Sequence, residues 1–161
     1  MSDRVIDTAS RIVVGVDGSP GSRIALVWAI NQARLTGATV EAVTAWRDPA
    51  RYGTAYGWAA AAFEGDTYAT VMAKVLDDTI AAAAAQMRAP VTVLPRVVQG
   101  HPVDALLEAA TGARLLVVGS RGHGTFAGIM TGSVSQHCVQ HAPCPVVVVP
   151  AAAVAQQVVR P

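Results

Sequence analysis

A chain of 161 residues is long enough for one domain with a real core. Apolar residues make up 52% and charged residues 14%, which excludes a disordered or heavily solvated chain. The net charge is +1, Lys74 is the only lysine and the arginines are scattered, so composition argues against a nucleic-acid partner.

Residues 1–10 read as a lead-in. Asp3 and Asp7 interrupt it, so it has no signal-peptide core. Arg11–Val16 is β-branched and apolar and predicts a buried strand. Asp17-Gly18-Ser19-Pro20 predicts a turn, with Ser19 capping a helix whose first residue is Pro20. Apolar residues at Ile24, Val27, Trp28, Ile30 and Leu35 continue that helix, and Gly37 closes it. Ala38–Trp46 predicts the second strand. Arg47–Gly65 is long for a connection and has no clear period, and Tyr52, Tyr56 and Trp58 fall inside it.

Asp66–Met87 carries Met72, Val75, Leu76, Ile80 and Ala83 at helical spacing. Val91–Gln99 predicts a third strand in which Pro95 signals a bulge or an edge position. Pro102 opens a third helix that Gly112 ends, and His101 just before it reads as structural. Leu115–Val118, Ser133–His141 and Val146–Val149 predict the fourth strand, fourth helix and fifth strand. Residues 11–150 therefore read as one domain and 151–161 as a tail.

The uncharged stretch Ala127–Val159 is broken by His137, His141, Pro143, Pro145 and Pro150 into pieces too short to cross a bilayer. No membrane partner and a cytoplasmic location are expected. Cys138 and Cys144 are too irregularly spaced for a zinc or redox motif and read as reduced, partly buried thiols. His137 and His141 stand one helical turn apart without a carboxylate or cysteine to complete a metal site, so no metal ligand is assigned.

Strands alternating with helices predict an α/β fold: an open, twisted, five-stranded parallel sheet with helices on both faces, Rossmann-like. Ligands of such sheets bind beyond the carboxyl ends of the strands, where strand order reverses. Asp17 follows strand one, Trp46 ends strand two and Gly119 follows strand four. The topology thus brings them to one edge and predicts a single nucleotide cleft.

The motif at that edge is Leu115-Leu116-Val117-Val118-Gly119-Ser120-Arg121-Gly122, followed by Gly132-Ser133-Val134-Ser135. A strand runs into a glycine-rich loop, and small hydroxyl residues then open a helix. Glycines let backbone N–H groups approach an anion, and the helix start adds further N–H groups and the positive end of its dipole. The Gly-x2-Gly-x9-Gly-Ser spacing resembles the nucleotide loop of the universal stress protein family, in its ATP-binding branch and single-domain form. Three more segments resemble the family: Ile12–Ser19, Gly100-His101-Pro102 and Ala142–Val149.

The resemblance implies an adenine-nucleotide fold of the nucleotide α-hydrolase-like kind, with ATP and its Mg²⁺ as cofactor. It implies phosphate contacts at Gly119, Arg121, Gly122, Gly132, Ser133, Val134 and Ser135, with hydroxyl donors from Ser133 and Ser135. It implies a nucleoside wall from Gly15, Val16 and Asp17, and a backbone contact to the base at Ala45. Asp17 also suits a turn, Ser133 a helix cap, and Arg121 and His123 a solvated loop. Antiparallel pairing of Val146–Val149 across a two-fold axis is implied as well, and an apolar edge strand by itself invites such a homodimer.

The chain has no Gly-x4-Gly-Lys-Ser/Thr signature, no lysine near the glycine loop and no placed general base, so no catalytic residue is assigned. Arg114 stands where the family commonly has an acidic residue. The reading is an ATP-binding regulatory or stress-response protein. The alternatives are a slow ATPase or self-phosphorylating enzyme, a cyclic-AMP-binding member, and a dimerisation module with a vestigial site.

Overall fold

The computed structural model describes residues 10–47, 65–121 and 131–151, with backbone alone at 65–67. Among them run five strands: β1 (Arg11–Gly15), β2 (Thr39–Trp46), β3 (Val93–Gln99), β4 (Leu115–Gly119) and β5 (Val146–Val149). Four helices lie between and around them: α1 (Pro20–Thr36), α2 (Gly65–Ala84), α3 (Pro102–Ala110) and α4 (Ser133–His141). Every strand pairing is parallel and the order is β3-β2-β1-β4-β5. The α/β sheet expected from the sequence is the sheet observed.

Alternation along the strands supplies both faces of the core. Ile12, Val14, Val40, Ala42 and Val117 pack with Ala25, Leu26, Ala29 and Ile30 of α1 and Leu76 and Ala83 of α2. Val13, Val43, Leu116 and Val118 pack with Ala105, Leu106 and Ala109 of α3 and Cys138 of α4. Because both faces are covered, the central strands are mostly apolar, as parallel sheets require, with Glu41 and Thr44 of β2 as buried polar exceptions.

The local signals hold. Ser19 Oγ accepts from the Ser22 N–H at 3.2 Å, Pro20 stands at the helix start, and Gly37 closes α1 at φ 70°. His101 is structural: its Nδ1 accepts from the Val103 N–H at 3.2 Å and caps α3. Pro95 marks an edge rather than a bulge. Pairing runs without a break from Val40↔Val93 to Trp46↔Gln99, and β3 borders the sheet, where a missing N–H costs least. β5 borders it on the other side, with Val146–Val148 half-buried. No helix among the described residues is long and apolar enough to cross a membrane.

Toward the amino ends of the strands lies an ion cluster that the sequence reading did not foresee. Arg11 pairs with Glu41 and donates to the Thr111 carbonyl at 3.1 Å. Arg96 reaches Glu41 at 3.3 Å and Glu108 at 2.9 Å.

Both cysteines are free thiols. Burial pushes the Cys138 thiol up from 9.0 to about 11, and burial also raises Cys144. The unfolded chain releases the Cys138 proton from about pH 9, whereas the folded chain keeps it to about 11. This thiol therefore leaves stability untouched below pH 9 and lowers it as pH rises from 9 to about 11. We expect iodoacetamide at pH 8 to leave Cys138 unmodified until the protein is unfolded. Peptide mapping that found it alkylated in the native protein would contradict the burial.

A candidate nucleotide cleft at the carboxyl ends of β1 and β4

Strand order reverses between β1 and β4, which pair through Ile12↔Leu115 and Val14↔Val117. α1 leaves β1 toward one face and α4 lies on the other, which opens a crevice above these two strands. Asp17 and the Gly119–Arg121 segment stand on its two sides. Ala45, in the neighbouring β2, completes the row of strand ends.

On the β1 side, Asp17 is exposed and held by the first turn of α1. Its Oδ1 accepts from the Ser19 N–H at 2.9 Å, and its own N–H donates to Ser22 Oγ at 3.2 Å. The turn role expected of Asp17 is thus present, with Gly18 at φ 80° beside it. Val16, expected to line the wall through its backbone groups, follows the end of β1. Its side chain is buried in the α1–α2 face, its N–H donates to the Val43 carbonyl at 2.8 Å, and its carbonyl accepts from Thr44 Oγ1 at 2.8 Å. Those bonds make Val16 a link between β1 and β2. Gly15 is explained by packing, since a Cβ there would lie 3.1 Å from Leu106 Cδ1 of α3.

Ala45 is half-buried opposite Val98 and borders the α3–α4 face. Trp46 packs its ring on Tyr68 of α2, with centroids 5.3 Å apart at 51°. Tyr52, Tyr56 and Trp58 lie outside the described residues.

On the β4 side, three hydrogen bonds tie the strand end to its surroundings. The Ser120 N–H donates to the Val149 carbonyl at 2.9 Å. The Gly132 N–H donates to the Ser120 carbonyl at 2.7 Å, and Ser135 Oγ donates to the Gly119 carbonyl at 2.6 Å. The chain therefore leaves at Arg121 and returns at Gly132 to the point it left. Gly122 and His123 lie outside the described residues.

Two of the expected residues have other neighbours than their motif suggests. The N-cap of α4 is Gly132, not Ser133, and the cap residue itself makes no side-chain bond. Ser135 is buried and its hydroxyl donates to the Gly119 carbonyl, so it clasps strand to helix. Ser133 is exposed in the first turn, and Val134 is half-buried beside the α3–α4 core. The first-turn N–H groups of α4 have no intrahelical acceptor, and Gly132 as cap residue has no side chain to take them, so they are donors of the kind an anion accepts from. His137 lies further along, with Nδ1 2.8 Å from the Ser133 carbonyl and its ring 6.3 Å from that of His141.

Gly119 has a duty the loop motif did not suggest. A Cβ there would lie 2.8 Å from the Gly21 carbonyl oxygen and 2.9 Å from its carbon. A Cβ on Gly21 would lie 2.4 Å from the Arg121 carbonyl oxygen. The first turn of α1 thus rests backbone to backbone on the end of β4. Gly21, Ser22 and Ser120 belong to the cleft's framework and were not picked out from the sequence. A glycine within a helix, where alanine is intrinsically better, was the available signal for Gly21.

The model of the universal stress protein family matches residues 8–150. A universal stress protein of Mycolicibacterium smegmatis is 36% identical over 148 residues, covering 89% of this chain and 46% of that protein. One of Mycobacterium tuberculosis is 36% identical over 142 residues, covering 85% of this chain and 43% of that protein. The chain thus spans less than half the length of these curated relatives. Among solved structures, a universal stress protein in complex with cAMP is 29% identical with a TM-score of 0.65, covering 89% of this chain and 98% of that one. A member from Burkholderia pseudomallei is 27% identical with a TM-score of 0.63, covering 89% of this chain and 97% of that one. A member from Archaeoglobus fulgidus in complex with dAMP, 20% identical with a TM-score of 0.60, covers 86% of this chain and 95% of that one, a likeness of fold. With residues 8–150 matched by the family model and relatives 36% identical over most of its length, the chain belongs to the universal stress protein family.

Proposed function

We propose that this chain binds an adenine nucleotide in the crevice above β1 and β4, and that occupancy, not turnover, is its output. The phosphates take the backbone of Gly119 and Arg121 and the first turn of α4 at Gly132, Ser133 and Val134. The nucleoside lies toward Asp17 and Ala45. The observation that carries this reading is the start of α4: a helix N-terminus with glycine at its cap, pinned against a glycine-ended strand by the Gly132–Ser120 and Ser135–Gly119 hydrogen bonds. The 29%-identical structure in complex with cAMP supports the ligand class.

ATP is the ligand proposed, with Mg²⁺ carried on its phosphates. Among the described residues no three His, Cys, Asp or Glu side chains gather to hold a metal by themselves. Lys74, the only lysine, is on α2 and pairs with Asp78 at 2.7 Å, so a regulatory role fits better than phosphoryl transfer. The cAMP-bound relative favours a second reading in which cyclic AMP is preferred.

The test is calorimetric titration of nucleotide-stripped protein with ATP and Mg²⁺, and in parallel with cyclic AMP. Saturation near one ATP per chain is expected. Tighter binding of cyclic AMP would transfer the site to the second reading, and no binding of either would remove the nucleotide function.

We also propose a homodimer through β5, whose half-buried valines border the sheet. Light scattering at micromolar concentration is expected to give the mass of two chains, and a single-chain mass would contradict the pairing.

A further inference from the structure

We propose that Gly21 is a positioning residue for the nucleotide loop: the missing side chain lets the Arg121 carbonyl seat on the first turn of α1 and so sets where the loop leaves the sheet. The inference rests on the nucleotide reading above and extends it to a residue that touches no ligand.

The contact is tight enough to decide geometry. A methyl group at position 21 would stand 2.4 Å from the Arg121 carbonyl oxygen, far inside any van der Waals distance, and the obstacle is backbone, not a flexible side-chain end. One partner must move. α1 is held along its length by Ala25, Leu26, Ala29 and Ile30, each at most 1% exposed, and by its Ser19 cap. Arg121 is exposed and lies beyond the last bond of Ser120 to β5. The loop therefore yields, not the helix.

The same turn of α1 reaches the other side of the cleft. Ser22 Oγ accepts from the Asp17 N–H at 3.2 Å and donates to the Ser19 carbonyl at 3.0 Å. One helix turn thus touches both sides of the crevice, Asp17 through Ser22 and the β4 end through Gly21. Displacing Arg121 widens one side while the other stays in place. The amide groups that must converge on a phosphate lose their common centre, and anion binding by backbone groups is sensitive to that geometry.

The test compares Gly21→Ala with wild type and with Ala29→Gly, a destabilising change in the buried middle of the same helix. Gly21→Ala is expected to weaken ATP tenfold or more, and Ala29→Gly to lower Tm without moving affinity more than twofold. Trypsin adds a readout that needs no ligand, since Arg121 is itself a cleavage point, and cleavage there is expected to be faster in Gly21→Ala. Folded Gly21→Ala protein with ATP affinity within twofold of wild type would overturn the proposal.

If wild type binds neither ATP nor cyclic AMP, the nucleotide reading fails. The Arg121 cleavage rate then decides the positioning role, and an unchanged rate overturns it. If Gly21→Ala does not fold, hydrogen exchange on wild type replaces it. ATP is expected to slow exchange at Gly21–Arg23 as well as at Gly132–Ser135, and protection at Gly132–Ser135 alone would overturn the role of Gly21.

Discussion

Replacing Glu41 by alanine is expected to cost about 3 kcal/mol, within the range for breaking a buried ion pair. Glu41 lies within the sheet, with a side chain only 12% exposed, and it neutralises two guanidinium groups. Arg96 keeps Glu108 as a partner. Arg11 does not fare as well. Its side chain is 13% exposed and, among the described residues, its Nε has no acceptor, so the variant leaves a largely buried charge whose remaining bond within that set is to the Thr111 carbonyl. For a domain of this size that cost corresponds to a drop in Tm of about 6–12 °C. Urea unfolding at pH 7 with an unchanged m-value is the check, and a loss below about 1 kcal/mol would show that the cluster is solvent-screened like a surface pair. The double variant Arg11→Met/Glu41→Leu is expected to recover most of the loss, because it removes the buried charge along with its partner.

The second large effect is expected at Gly119→Ala, in stability and in ligand binding together. The new methyl would stand 2.8 Å from the Gly21 carbonyl oxygen and 3.3 Å from the Ser22 nitrogen. Overpacking of this kind costs about 1–3 kcal/mol, paid by shifting α1 from β4. β4 is held in register on both sides, by β1 and by β5, so it does not slide away to relieve the clash. The shift is transmitted to the Ser135 clasp on the Gly119 carbonyl and to the start of α4. On the nucleotide reading, ATP affinity falls tenfold or more. Thermal unfolding and titration on the same sample check both effects. A variant with wild-type Tm would show that α1 and β4 are not in the contact described, whatever the nucleotide result.

These two positions divide what can be read in a linear chain from what cannot. The Ser19-Pro20 start and Gly37 end of α1 are legible because cap and helix are neighbours in sequence. The five apolar runs are legible because a parallel sheet buried on both faces needs continuous β-branched strands. The edge position of β3 is legible from Pro95 because proline removes a ladder donor wherever it stands. The crevice between β1 and β4 is also legible, since alternating strands and helices with Asp17 and Gly119 at strand ends already predict it.

Contacts between residues distant in the chain were not legible. The glycine loop explains Gly119 well enough by itself, so its contact with Gly21 is hidden until α1 is docked on the sheet. Ser135 has a hydroxyl that suits an anion, and only the position of the Gly119 carbonyl shows that its proton is already committed. Glu41 in an apolar strand reads as an exception until Arg11 and Arg96 come to it from β1 and β3. Sequence by itself determined the elements, the caps of α1 and the parallel character of the sheet, because strand and helix patterns and their caps depend on residues within a few positions of one another. Tertiary structure alone decided which backbone groups meet and which donors are already used, because those depend on how far packed helices stand from the sheet.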